Sequence, residues 1–82
     1  MTHFYAEVTD TYSGEANYCW VRRYKIKAKT FTGAIRKVPG FKWRLDFHAG
    51  DMVRYNATGA AVCCFVEDWQ DDRHNSFAVE EL

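Results

Sequence analysis

Histidine and cysteine are the side chains in this sequence whose chemistry could support catalysis or metal binding. The histidines, at positions 3, 48 and 74, lie far apart, and no Cys-x-x-Cys or His-x-x-x-His spacing typical of zinc sites occurs. A cysteine nucleophile needs a histidine base beside it. Cys63 and Cys64 instead lie in an apolar segment, where a thiol packs as a small hydrophobic group. The sequence therefore predicts a protein that is not an enzyme and that holds no metal and no cofactor.

The charged side chains are divided unevenly along the chain, although the formal net charge is zero. Residues 16–45 contain nine basic side chains and no acidic one, whereas residues 46–82 contain eight acidic side chains and two basic ones. This division favours the binding of a charged partner through one of the two parts. In the simpler alternative, the two parts neutralise each other within the fold and leave an ordinary solvated surface.

The basic part offers a surface for nucleic acid. Alternate residues of a strand point to the same face of a sheet, so Lys25, Lys27 and Lys29 are predicted to form a basic ridge. Next to exposed aromatic side chains such as Tyr18 or Trp20, this ridge would bind single-stranded nucleic acid by charge and stacking. The sequence pI of about 6.8 argues against this function, because dedicated nucleic-acid-binding domains usually have a pI above about 9.

Two surfaces are predicted to contact a protein partner. The first is aromatic and basic, and its tryptophan lies close to arginine in the sequence, so we expect it to be an exposed anchor. The second is acidic and would imitate a phosphate backbone in a basic groove of the partner. The alternative for this acidic segment is an ordinary polar loop. The first surface comprises Tyr18, Trp20, Arg22 and Arg23, and the second comprises Glu67, Asp68, Asp71 and Asp72.

The hydrophobic pattern predicts the elements that position these residues. Apolar side chains at positions 31, 34, 35 and 38 form the stripe of one short helix, with Thr30 as its N-cap and Pro39 ending it. Period-two alternation predicts strands before and after the helix, with a bulge near Val21, Arg22 and Arg23, where the alternation slips. The predicted strands span residues 4–8, 18–29, 41–48, 52–55 and 60–66, and whether residues 77–79 add a last edge strand is left open.

These elements predict a single α+β domain over residues 1–82. Its architecture is an antiparallel, curled β-sheet of about five strands with one short helix, in the order β-β-α-β-β-β. Trp43 is assigned to the core because Phe41, Leu45 and Phe47 share its face of the strand. No segment resembles a signal peptide or a membrane span, and free thiols suit the cytosol, so we expect a cytoplasmic protein that does not bind membranes.

Residues 10–23 have the sequence Asp-Thr-Tyr-Ser-Gly-Glu-Ala-Asn-Tyr-Cys-Trp-Val-Arg-Arg, and Gly-Ala-Ile-Arg follows at positions 33–36 of the short helix. This first half of the chain resembles small accessory proteins encoded by tailed bacteriophages and prophages. The resemblance implies a host cytoplasmic setting and a protein that binds and blocks a host enzyme or defence complex, as anti-CRISPR proteins do. It assigns no role to any single residue.

These observations together predict a phage-type accessory protein that binds a host protein or protein complex and inhibits or redirects it. The alternative is a nucleic-acid-binding module that uses the lysine ridge. The oligomeric state is left open, with a homodimer as one alternative.

Overall fold

An antiparallel sheet and one short helix make up the described part of the structure, a computed structural model that covers residues 2–69 and the backbone of residues 79–81. This confirms the predicted sheet with one short helix, and a three-residue strand brings the number of strands to six. Residues 77 and 78 of the last edge strand that the sequence leaves open lie outside the described residues. The elements are β1 (Thr2–Tyr12), β2 (Glu15–Ala28), α1 (Phe31–Lys37), β3 (Trp43–Ala49), β4 (Met52–Ala57), β5 (Val62–Asp68) and β6 (Val79–Glu81).

The sheet is open, and its strand order is β3-β4-β5-β1-β2-β6. Strands β3 and β6 therefore form its two edges, and the sheet does not close on itself. Strand β1 lies in the interior of the sheet and pairs with β2 on one side and with β5 on the other, antiparallel in both cases. The described residues include no helix that is long and apolar enough to cross a lipid bilayer.

Helix α1 begins where Thr30 caps it, as predicted. Thr30 has an extended backbone, and its Oγ1 accepts a hydrogen bond from the N–H of Gly33 at 3.0 Å. The helix ends before Val38, whose extended backbone is the conformation that a following proline favours. Ala34 and Ile35 are buried, so the apolar stripe faces the sheet.

The core lies between α1 and one face of the sheet, called here the helix face. The helix packs against β1, β2 and β5. With seven residues it is about 10 Å long, whereas six strands span about 24 Å. Most of β3 is therefore left uncovered, although Phe31 of α1 contacts His48. The core residues are Phe4, Ala6, Val8, Tyr24, Ile26, Ala28, Ala34, Ile35, Val38, Val53, Tyr55, Ala57, Val62, Cys64 and Val66.

Strand β3 is more exposed than the sequence predicts. The prediction that Phe41, Leu45 and Phe47 share a core face with Trp43 is wrong, because all three are exposed, Leu45 at 56%. Trp43 is the one member of the group that packs against the core. A bulge at Asp46 shifts the register, so Phe47 falls on the opposite face from Leu45. Alternation predicts which residues share a face, but it does not predict whether another element covers that face.

The face away from the helix, called here the open face, is partly covered by the β1–β2 hairpin. The register between the two strands shifts after Thr9, where residues 17–20 form the bulge. The bulge thus lies immediately before Val21, next to the residues near which the sequence predicts it. Arg54 of β4 donates a hydrogen bond from Nη2 to the carbonyl oxygen of Gly14 at 2.6 Å. Because this glycine is at the hairpin tip, the tip lies over the open face.

Candidate functional site

The bulge segment, residues 17–20, is held by the carboxylate of Asp10. Its Oδ1 accepts hydrogen bonds from the backbone N–H groups of Cys19 at 2.8 Å and Trp20 at 3.4 Å. Its Oδ2 accepts a hydrogen bond from Asn17 Nδ2 at 2.8 Å. The carboxylate of Asp10 therefore replaces part of the regular ladder, which the two strands cannot form across the bulge.

The hydrogen bonds to Asp10 should make the bulge segment sensitive to acid. They hold the pKa of Asp10 below its ordinary value, with the bond from Asn17 contributing most. The stabilisation is therefore complete above the unfolded pKa of about 3.9, and it is lost as pH falls through the lower folded pKa. We expect the amide resonance of Cys19, followed by NMR, to shift as pH falls below about 4. In Asp10→Asn that transition should be absent, and an identical transition in this variant would contradict the assignment.

Thr9 holds the same segment from the interior. It is fully buried, and its Oγ1 accepts a hydrogen bond from the backbone N–H of Tyr18 at 3.0 Å. Tyr18 has φ 56°, a left-handed conformation that costs a non-glycine residue about 1–2 kcal/mol. The backbone hydrogen bonds that Tyr18, Cys19 and Trp20 donate therefore maintain a strained backbone at the predicted aromatic contact.

The predicted aromatic and basic contact is divided between the two faces of the sheet. Trp20 is 41% exposed, as predicted for an anchor. Arg22 and Arg23 occupy successive positions of regular strand and point to opposite faces. Arg23 lies at the open face, where its Nε is 3.6 Å from Glu7 Oε2, and Tyr18 lines a cavity on the same face. These residues therefore do not form one continuous patch.

The predicted lysine ridge is wrong as an exposed surface. Lys25 and Lys27 occupy alternate positions of β2, as predicted. However, Lys25 is only 2% exposed, and its Nζ lies 5.2 Å from the ring centre of Trp69. Lys27 is half-buried, and Lys29 follows the end of β2. A ring over the ammonium group replaces part of its water, so the three lysines do not present a continuous row of charge to phosphates.

The predicted acidic contact is described only in part. Glu67 and Asp68 are the last residues of β5, and both are half-buried. As successive strand residues they point to opposite faces. Asp71 and Asp72 lie outside the described residues. The described pair therefore does not form one acidic surface.

A cavity of about 240 Å³ opens on the open face. Glu7 and Glu67 line it together with the rings of Tyr5, Tyr18 and Phe65. The hydroxyl of Tyr5 donates a hydrogen bond to Glu7 Oε2 at 2.8 Å. Burial, followed by this bond, raises the pKa of Tyr5 to about 12. The phenol therefore stays protonated at neutral pH and is poorly matched to general acid–base work, which favours a pKa near the working pH.

Cys63, Cys64 and His48 make contacts within the fold, whereas the thiol of Cys19 is exposed. Cys63 and Cys64 are fully buried, and burial raises the pKa of both thiols, which disfavours the reactive thiolate. The Nε2 of His48 lies 3.0 Å from the carbonyl oxygen of Gly50, and its ring packs against Phe31. Within residues 2–69, no group of three or more His, Cys, Asp or Glu residues could hold a metal ion.

A groove of about 510 Å³ lies between α1 and β3. Its volume is in the range of about 300–1,000 Å³ that small-molecule sites occupy. The rings of Phe41 and Trp43 meet at one end with centroids 5.3 Å apart, and Trp43 Nε1 donates to the carbonyl oxygen of Val38 at 3.4 Å. The apolar side chain of Leu45 stays accessible to a partner. The groove is lined by Thr32, Ile35, Arg36, Phe41, Lys42, Trp43, Leu45 and Tyr55.

Positive charge without an opposing carboxylate lies around the groove and along β3. Arg36, Lys42 and Arg44 are exposed, and the described residues provide no acidic partner for any of them. Arg54 differs, because its Nε lies 3.3 Å from Asp46 Oδ2, an ion pair without hydrogen-bond geometry. A partner carboxylate would therefore find two available cations at the groove, Arg36 and Lys42, and a third, Arg44, on the other face of β3.

This groove was not predicted from the sequence, although one signal for it was present. The apolar stripe predicts a helix of about two turns, which is too short to cover a sheet of about five strands. One strand after the helix should therefore have kept an uncovered apolar face. That strand is β3, whose apolar residues Trp43 and Leu45 line the groove together with Phe41, which precedes the strand.

The groove combines aromatic rings, an edge strand of the sheet and unneutralised basic side chains. Comparisons of the chain with protein-family models, with curated proteins and with solved structures find no match.

Proposed function

We propose that this chain is a small, phage-type accessory protein that binds a host protein and inhibits or redirects it by contact. A defence complex such as CRISPR–Cas is an example of the target. The observation that carries the proposal is the edge at β3, where Phe41, Leu45 and Phe47 expose large apolar side chains. Exposed apolar surface rimmed by polar residues is typical of protein-binding sites. The resemblance of residues 10–23 to phage accessory proteins supports the class of partner.

The residue types around the groove support a protein contact. Tryptophan, tyrosine and arginine are enriched among the residues that carry most of the binding energy in interfaces. Trp43 and Arg36 provide two of these types in accessible positions, and the buried Tyr55 also lines the groove. Covering the exposed Leu45 would add about 25 cal/mol for each Å² of apolar surface removed from water. We therefore place the main contact at the groove.

Quantitative capture from host lysate tests this placement. Leu45→Lys puts a charge at an exposed position outside the core, so the fold is preserved, and recovery of the partner is expected to fall by about tenfold or more. Tyr12→Ser is the matched control, because Tyr12 is 74% exposed and lies on the hairpin, and its recovery should equal that of the wild type. Equal recovery by a folded Leu45→Lys variant would exclude the groove as the contact.

The aromatic and basic surface on the hairpin, the first of the two contacts that the sequence predicts, is tested in the same assay. Trp20→Ala combined with Arg22→Glu removes the exposed ring and reverses a charge beside it. If the double variant fails to capture the partner while Leu45→Lys recovers it fully, the contact is on the hairpin and not at the groove. Loss with Leu45→Lys alone would leave the groove as the contact.

A single-stranded nucleic acid is the second candidate partner. The ring pair of Phe41 and Trp43 could stack on bases while Lys42 and Arg44 contact phosphates. Fluorescence polarisation of labelled single-stranded DNA and RNA at two salt concentrations tests it, because phosphate contacts make affinity fall steeply with salt. Binding that collapses at the higher salt would favour this candidate, and the absence of binding at low salt would remove it.

A further inference from the structure

We propose that the outer edge of β3 binds an extended, acidic segment of the partner as an added β-strand. This inference rests on the proposed protein-binding function and specifies the shape and charge of what the groove recognises. Three features of β3 carry it: the direction of its unpaired backbone groups, the position of the groove beside them, and the charge around both.

The backbone of β3 has hydrogen-bonding groups that point away from the sheet. The carbonyl oxygen of Lys42 accepts a hydrogen bond from the N–H of Thr58 at 2.8 Å, in the register that continues through Arg44. In an antiparallel ladder, residues that bond to the neighbouring strand alternate with residues whose N–H and C=O groups point outward. Arg44 therefore bonds to β4, and the backbone groups of Trp43 and Leu45 point to the free edge.

The groove lies beside the same two residues. The side chains of Trp43 and Leu45 line it, on the helix face of β3. A strand added at about 4.8 Å from β3 would direct alternate side chains over that face. An apolar side chain of the added strand would then enter the groove opposite Ile35. The backbone pairing and the apolar pocket thus use one register, which is how strand addition combines affinity with specificity.

The charge around β3 selects an acidic segment. Arg36 and Lys42 line the groove, and Arg44 points to the opposite face of the same strand. None of the three has an acidic partner in the described part of the chain. Opposite charges on neighbouring strands stabilise pairing, and like charges destabilise it. The segment that fits best alternates apolar residues over the groove with glutamate or aspartate beside Arg44.

A second copy of this chain fits the edge less well. Antiparallel pairing of two β3 strands through the outward groups of Trp43 and Leu45 is centred on Arg44. That register places each Arg44 directly opposite its counterpart, and like charges in this position destabilise a sheet. Nucleic acid is also a poorer occupant, because it makes no use of an outward row of backbone N–H and C=O groups. An acidic peptide strand uses the backbone, the groove and the charge together.

Peptides with blocked backbone edges test strand addition directly. The probe is a short peptide, capped at both ends, in which glutamate alternates with valine, and it is compared with two forms N-methylated at odd or at even positions. Methylation of one edge should weaken binding by about tenfold or more, while methylation of the other edge should leave it unchanged. Equal effects of the two modifications would overturn the proposal. On binding, the amides of Trp43 and Leu45 should become protected from hydrogen exchange.

Charge and site are tested with variants and with two further probes. The Arg44→Glu variant should bind the glutamate peptide about tenfold or more weakly than the wild type does. It should bind a peptide with lysine in place of glutamate more tightly than the wild type does. Tyr12→Ser is the control and should bind as the wild type does. Oligothymidylate that displaces the peptide and binds more tightly would overturn the proposal in favour of nucleic acid.

The failure of strand addition and the failure of the proposed function give different results. If no peptide binds but Leu45→Lys still abolishes capture of a host protein, strand addition is wrong and protein binding at the groove stands. If the peptide does not bind and Leu45→Lys captures the same host proteins as the wild type, both strand addition and protein binding at the groove are wrong. A dimer in sedimentation that dissociates in Leu45→Lys would instead assign the edge to self-association and overturn the proposal.

Discussion

Ile26→Ala is expected to lower the free energy of unfolding by about 2–5 kcal/mol. Ile26 is fully buried on β2, where it pairs with Phe4 of β1 beneath the helix. Removing its outer carbons takes apolar surface out of the core and leaves a cavity that the neighbouring strands cannot fill completely. Since small domains have a total stability of about 5–15 kcal/mol, this loss is a large part of the margin. Urea denaturation followed by tryptophan fluorescence measures it.

Ile26→Val is the matched control for this prediction. It removes one methylene group and keeps the branched side chain that suits a strand, so we expect a loss of about 0.5–1.5 kcal/mol. A much smaller difference between the alanine and valine variants would mean that the site collapses around the cavity. If alanine cost less than about 1 kcal/mol, the core assignment of this residue would be wrong.

Thr9→Val should lower stability by about 1–2 kcal/mol although it keeps the shape of the side chain. The substitution removes the Oγ1 that accepts the N–H of Tyr18 in the left-handed bulge. That N–H is then left without its partner beside a fully buried side chain, which costs more than an exposed hydrogen bond is worth. Chemical denaturation gives the magnitude, and faster hydrogen exchange at the Tyr18 amide shows where the effect lies.

Thr9→Ser separates the hydroxyl from the methyl group. Serine keeps the acceptor and loses one buried carbon, so the Tyr18 amide should stay protected while stability falls by about 1 kcal/mol or less. Loss of protection in the serine variant would show that packing of the methyl group, and not the hydrogen bond, holds the bulge.

The local elements could be predicted because each carries its own signal. The helix shows the apolar stripe and a capping threonine, and the observed cap at Thr30 confirms that interpretation. Strand lengths were less predictable. Strand β1 extends over Thr2–Tyr12, well beyond residues 4–8, because its end pairs with β2 in the hairpin through backbone bonds. Such pairing needs no apolar alternation, so the pattern of residues does not reveal it.

The short helix indicates that some apolar strand face stays uncovered, but the position of the candidate site could not be predicted, because it depends on which face the helix covers. Leu45 and Ile26 both lie in alternating strands, but α1 covers one and not the other. Lys25 is buried because Trp69, from the end of β5, lies beside its ammonium group. Sequence periodicity does not reveal which strand residues α1 covers or that Trp69 contacts Lys25, because each contact joins residues that are distant in the chain. The positive charge around β3 was visible, but its location beside an apolar groove was not.

The interior position of β1 has a consequence for the growing chain. The two strands that pair with β1 are synthesised at very different times. Strand β2 follows β1 directly in the chain, whereas β5, which places Asp68 opposite Phe4, is synthesised only after α1, β3 and β4. During synthesis, the first hairpin therefore emerges with one edge of β1 unpaired, and it stays so until residues 62–68 have left the ribosome. Pairing of such distant segments slows folding compared with helical domains of similar size. The nascent protein must remain unaggregated over this interval with an exposed sheet edge.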